Sequence, residues 1–148
     1  MVNQRAIVLL GDFSDNRRVI DPVARQFEWR IESVPDLGRM IEVCRCSSVK
    51  AVFVNTRDER FHVKQVRLAA AWYRVPLVAC MGFRDTLPDR ELEACYHSLR
   101  LPIHPGEFRQ CLGFLSQAER SHPAASPLRP NIVRDLAPTA AFPLHAHR

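Results

Sequence analysis

Three short stretches of this chain are apolar at every position: Ala6-Ile7-Val8-Leu9-Leu10, Ala51-Val52-Phe53-Val54 and Pro76-Leu77-Val78-Ala79-Cys80-Met81. A strand that shows one face to water alternates polar with apolar residues. A strand that is apolar throughout must be covered on both faces, as when helices pack on either side of a parallel sheet. The intervening segments carry the helices such a sheet needs. Residues 15–27 put Val19, Ile20, Val23 and Phe27 on one face, and Pro22 predicts a kink there or a delayed start after Asp21. Pro35-Asp36 opens a second helix whose Leu37, Met40, Ile41 and Cys44 share a side, and residues 58–73 give a third, with Val63, Val66, Ala70 and Tyr73 inward. A short polar helix over 89–95 follows. The last begins at Pro105-Gly106 and carries Phe108, Cys111, Leu112 and Leu115 at i, i+3, i+4 and i+7. Residues 30–34 and 96–101 supply two weaker strands.

Five strands alternating with five helices predict a doubly wound, flavodoxin-like α/β domain over residues 1–120, its parallel sheet in the order 2-1-3-4-5. The pattern stops there. Residues 121–148 hold Pro123, Pro127, Pro130, Pro138 and Pro143 among many alanines, and neither period lasts, so a disordered tail or linker is expected.

Composition removes several function classes. With 47% hydrophobic and 25% charged residues in 148, one sizeable core is available. The net charge of +5, from 21 basic and 16 acidic residues, is scattered, as in Glu28-Trp29-Arg30-Ile31-Glu32. A nucleic-acid binder gathers its cations into a stripe or a recognition helix, so direct nucleic-acid binding is not expected. No run of about 18 apolar residues predicts a membrane span, and the apolar run ending at Leu10 meets Gly11-Asp12 where a signal peptide would have small residues; a cytoplasmic protein is expected. The five cysteines, Cys44, Cys46, Cys80, Cys95 and Cys111, are odd in number and lack zinc-ligand spacing, so they read as structural thiols. His145 and His147 stand on the tail without further ligands. Gly11, Gly38, Gly82, Gly106 and Gly113 are isolated, so no phosphate-cradling loop and no cofactor is expected.

In a doubly wound sheet, function sits beyond the carboxyl ends of the strands. Those ends are Gly11-Asp12, Asn55, Met81-Gly82 and Leu101-Pro102. In this frame residues 6–119 resemble the receiver (CheY-like) domains of bacterial response regulators. Gly11-Asp12-Phe13-Ser14-Asp15 stands where those domains carry an acidic cluster, and Val52-Phe53-Val54-Asn55 where the phospho-acceptor Asp ends strand 3. Residues 76–82 match the strand that ends in Thr-Ala or Ser-Ala. Leu101-Pro102-Ile103-His104-Pro105-Gly106-Glu107-Phe108 matches the Lys-Pro-Phe stretch, Pro102 being the most specific match. The subgroup most similar is the N-terminal domain of flagellar sigma-54-dependent master regulators, on Ser98-Leu99-Arg100-Leu101-Pro102 and the amphipathic helix after it. The ATPase and DNA-binding domains of those activators are missing here, which implies a standalone relative or a separated N-terminal domain.

The resemblance implies a site in which three carboxylates hold Mg²⁺ and accept a phosphoryl group, a hydroxyl contacts its oxygens and a lysine neutralises charge. Here those positions hold Gly11, with Asp12 left of the acidic pair, then Asn55, Met81 and Leu101. A neutral amide is a poor nucleophile, and one carboxylate beside an amide is a poor Mg²⁺ site. Asp12 is expected to serve as a residual cap and Asn55 to tie down its loop. The expectation is a degenerate, non-phosphorylatable pseudo-receiver: not an enzyme, but a regulatory protein-interaction or dimerisation module in signalling or transcription control. Its partner would be another protein or a second copy in a homodimer. The alternatives are an atypical phosphorylatable response regulator in a two-component system, separable with a small phosphodonor, and a small α/β enzyme or nucleotide binder, separable by ligand-induced thermal shifts. The resemblance implies a working face of helix 4, strand 5 and helix 5, with Arg90, Glu91, Arg109 and the off-stripe Phe114 as candidate contacts.

Overall fold

The computed structural model describes residues 4–46, 48–82, 87 and 89–121. Of the tail expected over 121–148, Ser121 instead closes the last helix, and residues 122–148 lie outside the described residues. Five strands, β1 (Ala6–Leu10), β2 (Arg30–Val34), β3 (Val49–Asn55), β4 (Leu77–Met81) and β5 (His97–Arg100), form one sheet in the order β2-β1-β3-β4-β5. All four pairings are parallel. The helices are α1 (Arg17–Gln26), α2 (Leu37–Cys46), α3 (Val63–Trp72), α4 (Asp89–Ala94) and α5 (Pro105–Ser121). This is the doubly wound arrangement that the apolar strands demand.

Each central strand divides its side chains between two cores. Ile7 and Leu9 of β1, with Ala51 and Phe53 of β3, join Ile20, Val23, Phe108, Leu112 and Leu115 from α1 and α5. The alternate residues Val8, Leu10, Val52 and Val54 join Met40, Val43, Val66 and Ala70 from α2 and α3. The Phe53 and Phe108 rings meet at 5.5 Å between centroids, tilted by 60°, an arrangement favourable to aromatic quadrupoles. Strand β5 buries only Leu99, as suits an edge.

The elements depart from sequence expectation in three places. Ser14–Asn16 forms a 3-10 turn before α1, and α1 runs through Pro22 instead of starting after Asp21. The carbonyl that loses its helical partner belongs to Arg18, an exposed residue. Strand β3 begins two residues early and takes in Lys50, which is buried with its ammonium 5.2 Å from the centre of the Trp29 ring. Helix α3 starts at Val63, not at residue 58. Asp58 instead captures the backbone N–H and guanidinium of Arg60, and side-chain bonding of this kind competes with helix formation.

Candidate functional site

Parallel pairing sets the strand ends side by side. Leu10 pairs with Val54, Asn55 with Cys80, and Met81 with Arg100, so the loops after β1, β3 and β5 converge at one edge of the sheet. They border an open cleft of about 690 Å³ lined by acids, amides, two arginines and the Leu101-Pro102 pair. The acids are Asp12, Asp15, Asp58 and Glu59, and the arginines are Arg57 and Arg60.

Of the five positions singled out from sequence, Asp12, Asn55 and Leu101 line this cleft. Met81 does not: its side chain is buried in the sheet, so the apolar character of the cleft comes from Leu101 and Pro102. Gly11 lies beneath. Its φ of +105° is in the region that favours glycine, and a Cβ there would stand 3.1 Å from the Asn55 Cβ and 3.4 Å from Asp58 Oδ2. A side chain at residue 11 therefore has neither the backbone conformation nor the room it needs.

Asn55 is held at both ends of its amide. Its Nδ2 donates to the Asp12 carbonyl at 2.7 Å, and its Oδ1 accepts from the Arg57 N–H at 2.9 Å, so one side chain staples the β1 and β3 loops. Asp12 is exposed, and its Oδ1 accepts from the Ser14 N–H at 2.9 Å and the Ser14 hydroxyl at 2.8 Å. The Ser14 bonds, backbone first, hold the Asp12 carboxyl below the usual aspartate value, while nearby Asp58 opposes them. A third tie lies deeper: Asn16 Oδ1 accepts the Ile103 N–H at 2.9 Å, fastening the β1 loop to the loop before α5.

Asp58 is the site residue that sequence reasoning missed. The helical pattern drew residues 58–73 into one helix, whereas Asp58 sits in the loop, its side chain only 12% exposed and packed over Gly11. Arg60 grips it with Nε at 3.0 Å from Oδ1 and Nη2 at 2.7 Å from Oδ2. That pairing lowers the Asp58 pKa and raises that of Arg60. The spacing of an acid and an arginine two apart, just after a strand end, was the available clue.

These donors do not fit a hydrated Mg²⁺ ion. Both Asp58 oxygens face a guanidinium, the Asn55 oxygen faces an N–H, and one Asp12 oxygen carries two hydrogen bonds. Near-octahedral binding requires several oxygens free at once. Among the described residues, no three His, Cys, Asp or Glu side chains are grouped to hold a metal ion.

The candidate interface residues divide. Phe114 of α5 is 47% exposed and Arg90 of α4 is exposed. The side chain of Glu91 lies outside those described. Arg109 is exposed too, and its Nε donates to Gln26 Oε1 of α1 at 3.3 Å, on the other side of α5 from Phe114. Tyr96, at the head of β5 and 41% exposed, joins the proposed face. Burial raises its pKa, with a smaller contribution from Cys111, and Phe114 follows Cys111 by one helical turn. Tyr96 and Phe114 are the two exposed large hydrophobic side chains among the described residues.

No family model matches the sequence, and no curated protein matches it. Solved structures do. The receiver domain of the TMAO respiratory response regulator TorR superposes with a TM-score of 0.67 at 14% identity, covering 77% of this chain and 98% of that one. The receiver domain of a sensor histidine kinase from Pseudomonas aeruginosa, with magnesium in its active-site cleft, gives 0.60 at 21% identity over 76% and 97%. A chain from the Saccharomyces cerevisiae complex of Ypd1 with the receiver domain of Ssk1 gives 0.64 at 8% identity over 80% and 93%. At these identities the likeness establishes a receiver-like fold.

Proposed function

We propose that this chain is a pseudo-receiver: a regulatory module of bacterial signalling or transcription control that works through protein contacts, without phosphoryl transfer or other catalysis. The observation that carries the proposal is Asn55. It stands at the end of β3, where the receivers it resembles accept the phosphoryl group, and both ends of its amide are committed to neighbouring loops. An amide nitrogen conjugated to its carbonyl is not a nucleophile, and here it is also a donor already in use. Leu101 brings no charge to the developing phosphoryl oxygens, which catalysis of that transfer requires. The site has become a structural clasp.

A module of this kind acts by binding, and the exposed aromatics supply the surface. Tyr96 and Phe114 combine large apolar area with few rotatable bonds, the character of interface anchors. Strand β5 beside them is a sheet edge. The partner we favour is a second copy of this chain, docked through α4, β5 and α5. The similarity of Ser98 to Pro102 and α5 to the N-terminal domains of flagellar sigma-54-dependent activators supports a cytoplasmic role in transcription control. No helix among the described residues is long and apolar enough to cross a membrane, which accords with that setting.

The test has two arms. Incubation with acetyl phosphate and Mg²⁺, followed by intact-mass measurement, should give no phosphoryl adduct on the wild type, nor on Asn55→Asp. An adduct on the wild type would overturn the proposal. Sedimentation of wild type against Phe114→Ala and Tyr96→Ala should show weaker self-association in the variants with unchanged circular dichroism.

A further inference from the structure

The cleft carries a carboxylate and a cation beyond the positions that the resemblance names, and the two arrive together. Gly11 has left space at the end of β1, and Asp58 fills it from the β3–α3 loop, with Oδ2 and Cβ at 3.4 and 3.5 Å from the position a residue-11 Cβ would take. The acid lost from one strand end is thereby replaced from another loop. Two residues further on, Arg60 closes a two-point bridge onto both Asp58 oxygens. Its backbone N–H, 3.2 Å from Oδ1, adds a third bond within the same turn. Arg60 also acts electrostatically on Asp12, and Asp12 on Arg60.

We propose that Arg60 is the resident cation of this cleft: its guanidinium does the charge-balancing that a divalent ion would otherwise do, and holds the cleft in one state without a metal. A planar, permanently charged fork suits two carboxylate oxygens better than an ammonium does, and it cannot be titrated or chelated away. Exposed ion pairs generally contribute little, and the Arg60 side chain is 64% exposed, but two-point geometry on a carboxylate that is only 12% exposed is the favourable exception. Phe61 steadies the arrangement, its ring centre 5.2 Å from the Arg60 guanidinium carbon. The consequence is a module whose strand-end loops do not respond to Mg²⁺. This claim is separate from the absence of phosphoryl transfer, which depends on Asn55 and Leu101.

The experiment is a titration with Mn²⁺, read by loss of the free-ion paramagnetic resonance signal and checked by Mg²⁺-dependent melting. Wild type should take up no Mn²⁺ and melt alike with and without Mg²⁺. Arg60→Gln frees Asp58 beside Asp12 and should bind Mn²⁺, with its melting temperature raised by roughly 4 °C when Mg²⁺ is at about ten times its Kd. Arg60→Lys retains a cation and should bind at least about tenfold less Mn²⁺ than Arg60→Gln. Asp58→Asn combined with Arg60→Gln should abolish the uptake. Stoichiometric Mn²⁺ binding by the wild type, or none by a folded Arg60→Gln variant, would overturn the proposal. Neither outcome bears on the phosphodonor test.

Discussion

Replacing Asn16 with alanine should loosen the loops that shape the cleft by a predictable amount. Asn16 is only 7% exposed, and its Oδ1 is the acceptor for the Ile103 N–H at 2.9 Å, in a buried bond that joins positions 87 residues apart. Truncation removes the acceptor and leaves a buried backbone donor unpaired. A net hydrogen bond is worth about 1 kcal/mol, but an orphaned buried donor costs its full desolvation, about 1–3 kcal/mol. At about 3–6 °C per kcal/mol for a domain of this size, melting should fall by roughly 3–18 °C. Urea denaturation should show a lower midpoint at unchanged slope, since the surface exposed on unfolding is nearly the same. Asn16→Leu separates the bond from the space. It refills the volume but still strands the Ile103 N–H, so it should remain at least about 1 kcal/mol less stable than wild type. Amide exchange at Ile103 should accelerate in both variants. A loss below about 0.5 kcal/mol in Asn16→Ala, or wild-type stability in Asn16→Leu, would refute the assignment of this bond as the tie between the two loops.

Gly11→Ala should destabilise the fold by more than about 1 kcal/mol in urea melts, since φ is +105° and the new Cβ meets Asn55; a neutral result would mean that the loop reshapes without cost. Thiol labelling near pH 8 should proceed first at exposed Cys46, whereas burial pushes Cys44 up to about 11 and Cys111 up to about 12, keeping both protonated; Cys80, fully buried, should react only on unfolding. Acid should weaken the Asp58–Arg60 clasp. Arg60 lowers the folded pKa of Asp58, so the unfolded chain takes up that proton first. The contribution is complete above the ordinary aspartate value near pH 4 and fades as pH falls through the lowered one. Asp58→Asn should flatten the stability profile between about pH 5 and pH 3, and an unchanged slope would show that the pair is fully screened by water.

Much of the fold was legible because burial on both faces leaves a one-dimensional trace. Strands such as Ala6–Leu10 have no polar residue to offer water, so they could only lie inside a parallel sheet, and short alternation with helices restricts the strand order. Helix α5 was equally plain, since Phe108, Cys111, Leu112 and Leu115 are spaced for one face and are all buried. The strand ends named Asn55 and Leu101 for the same reason. Local patterns failed where a residue's fate depends on a partner remote in the chain or on competition for its own backbone. Lys50 lies outside the apolar run that marks β3 in the sequence, yet it is buried there with its ammonium beside the Trp29 ring. Asp58 and Arg60 read as the start of a helix, until their mutual bonding stopped it and turned them into the cleft. Arg109 and Phe114 sit on one helix, both exposed, and only the packing of α1 against α5 decides that the first reaches across to Gln26 while the second stands clear of α1. Periodicity records how much of each residue is hidden from water. Which neighbour hides it, and whether a charge finds its counter-charge, is settled only when distant segments are brought within the few ångströms over which hydrogen bonds and ion pairs act.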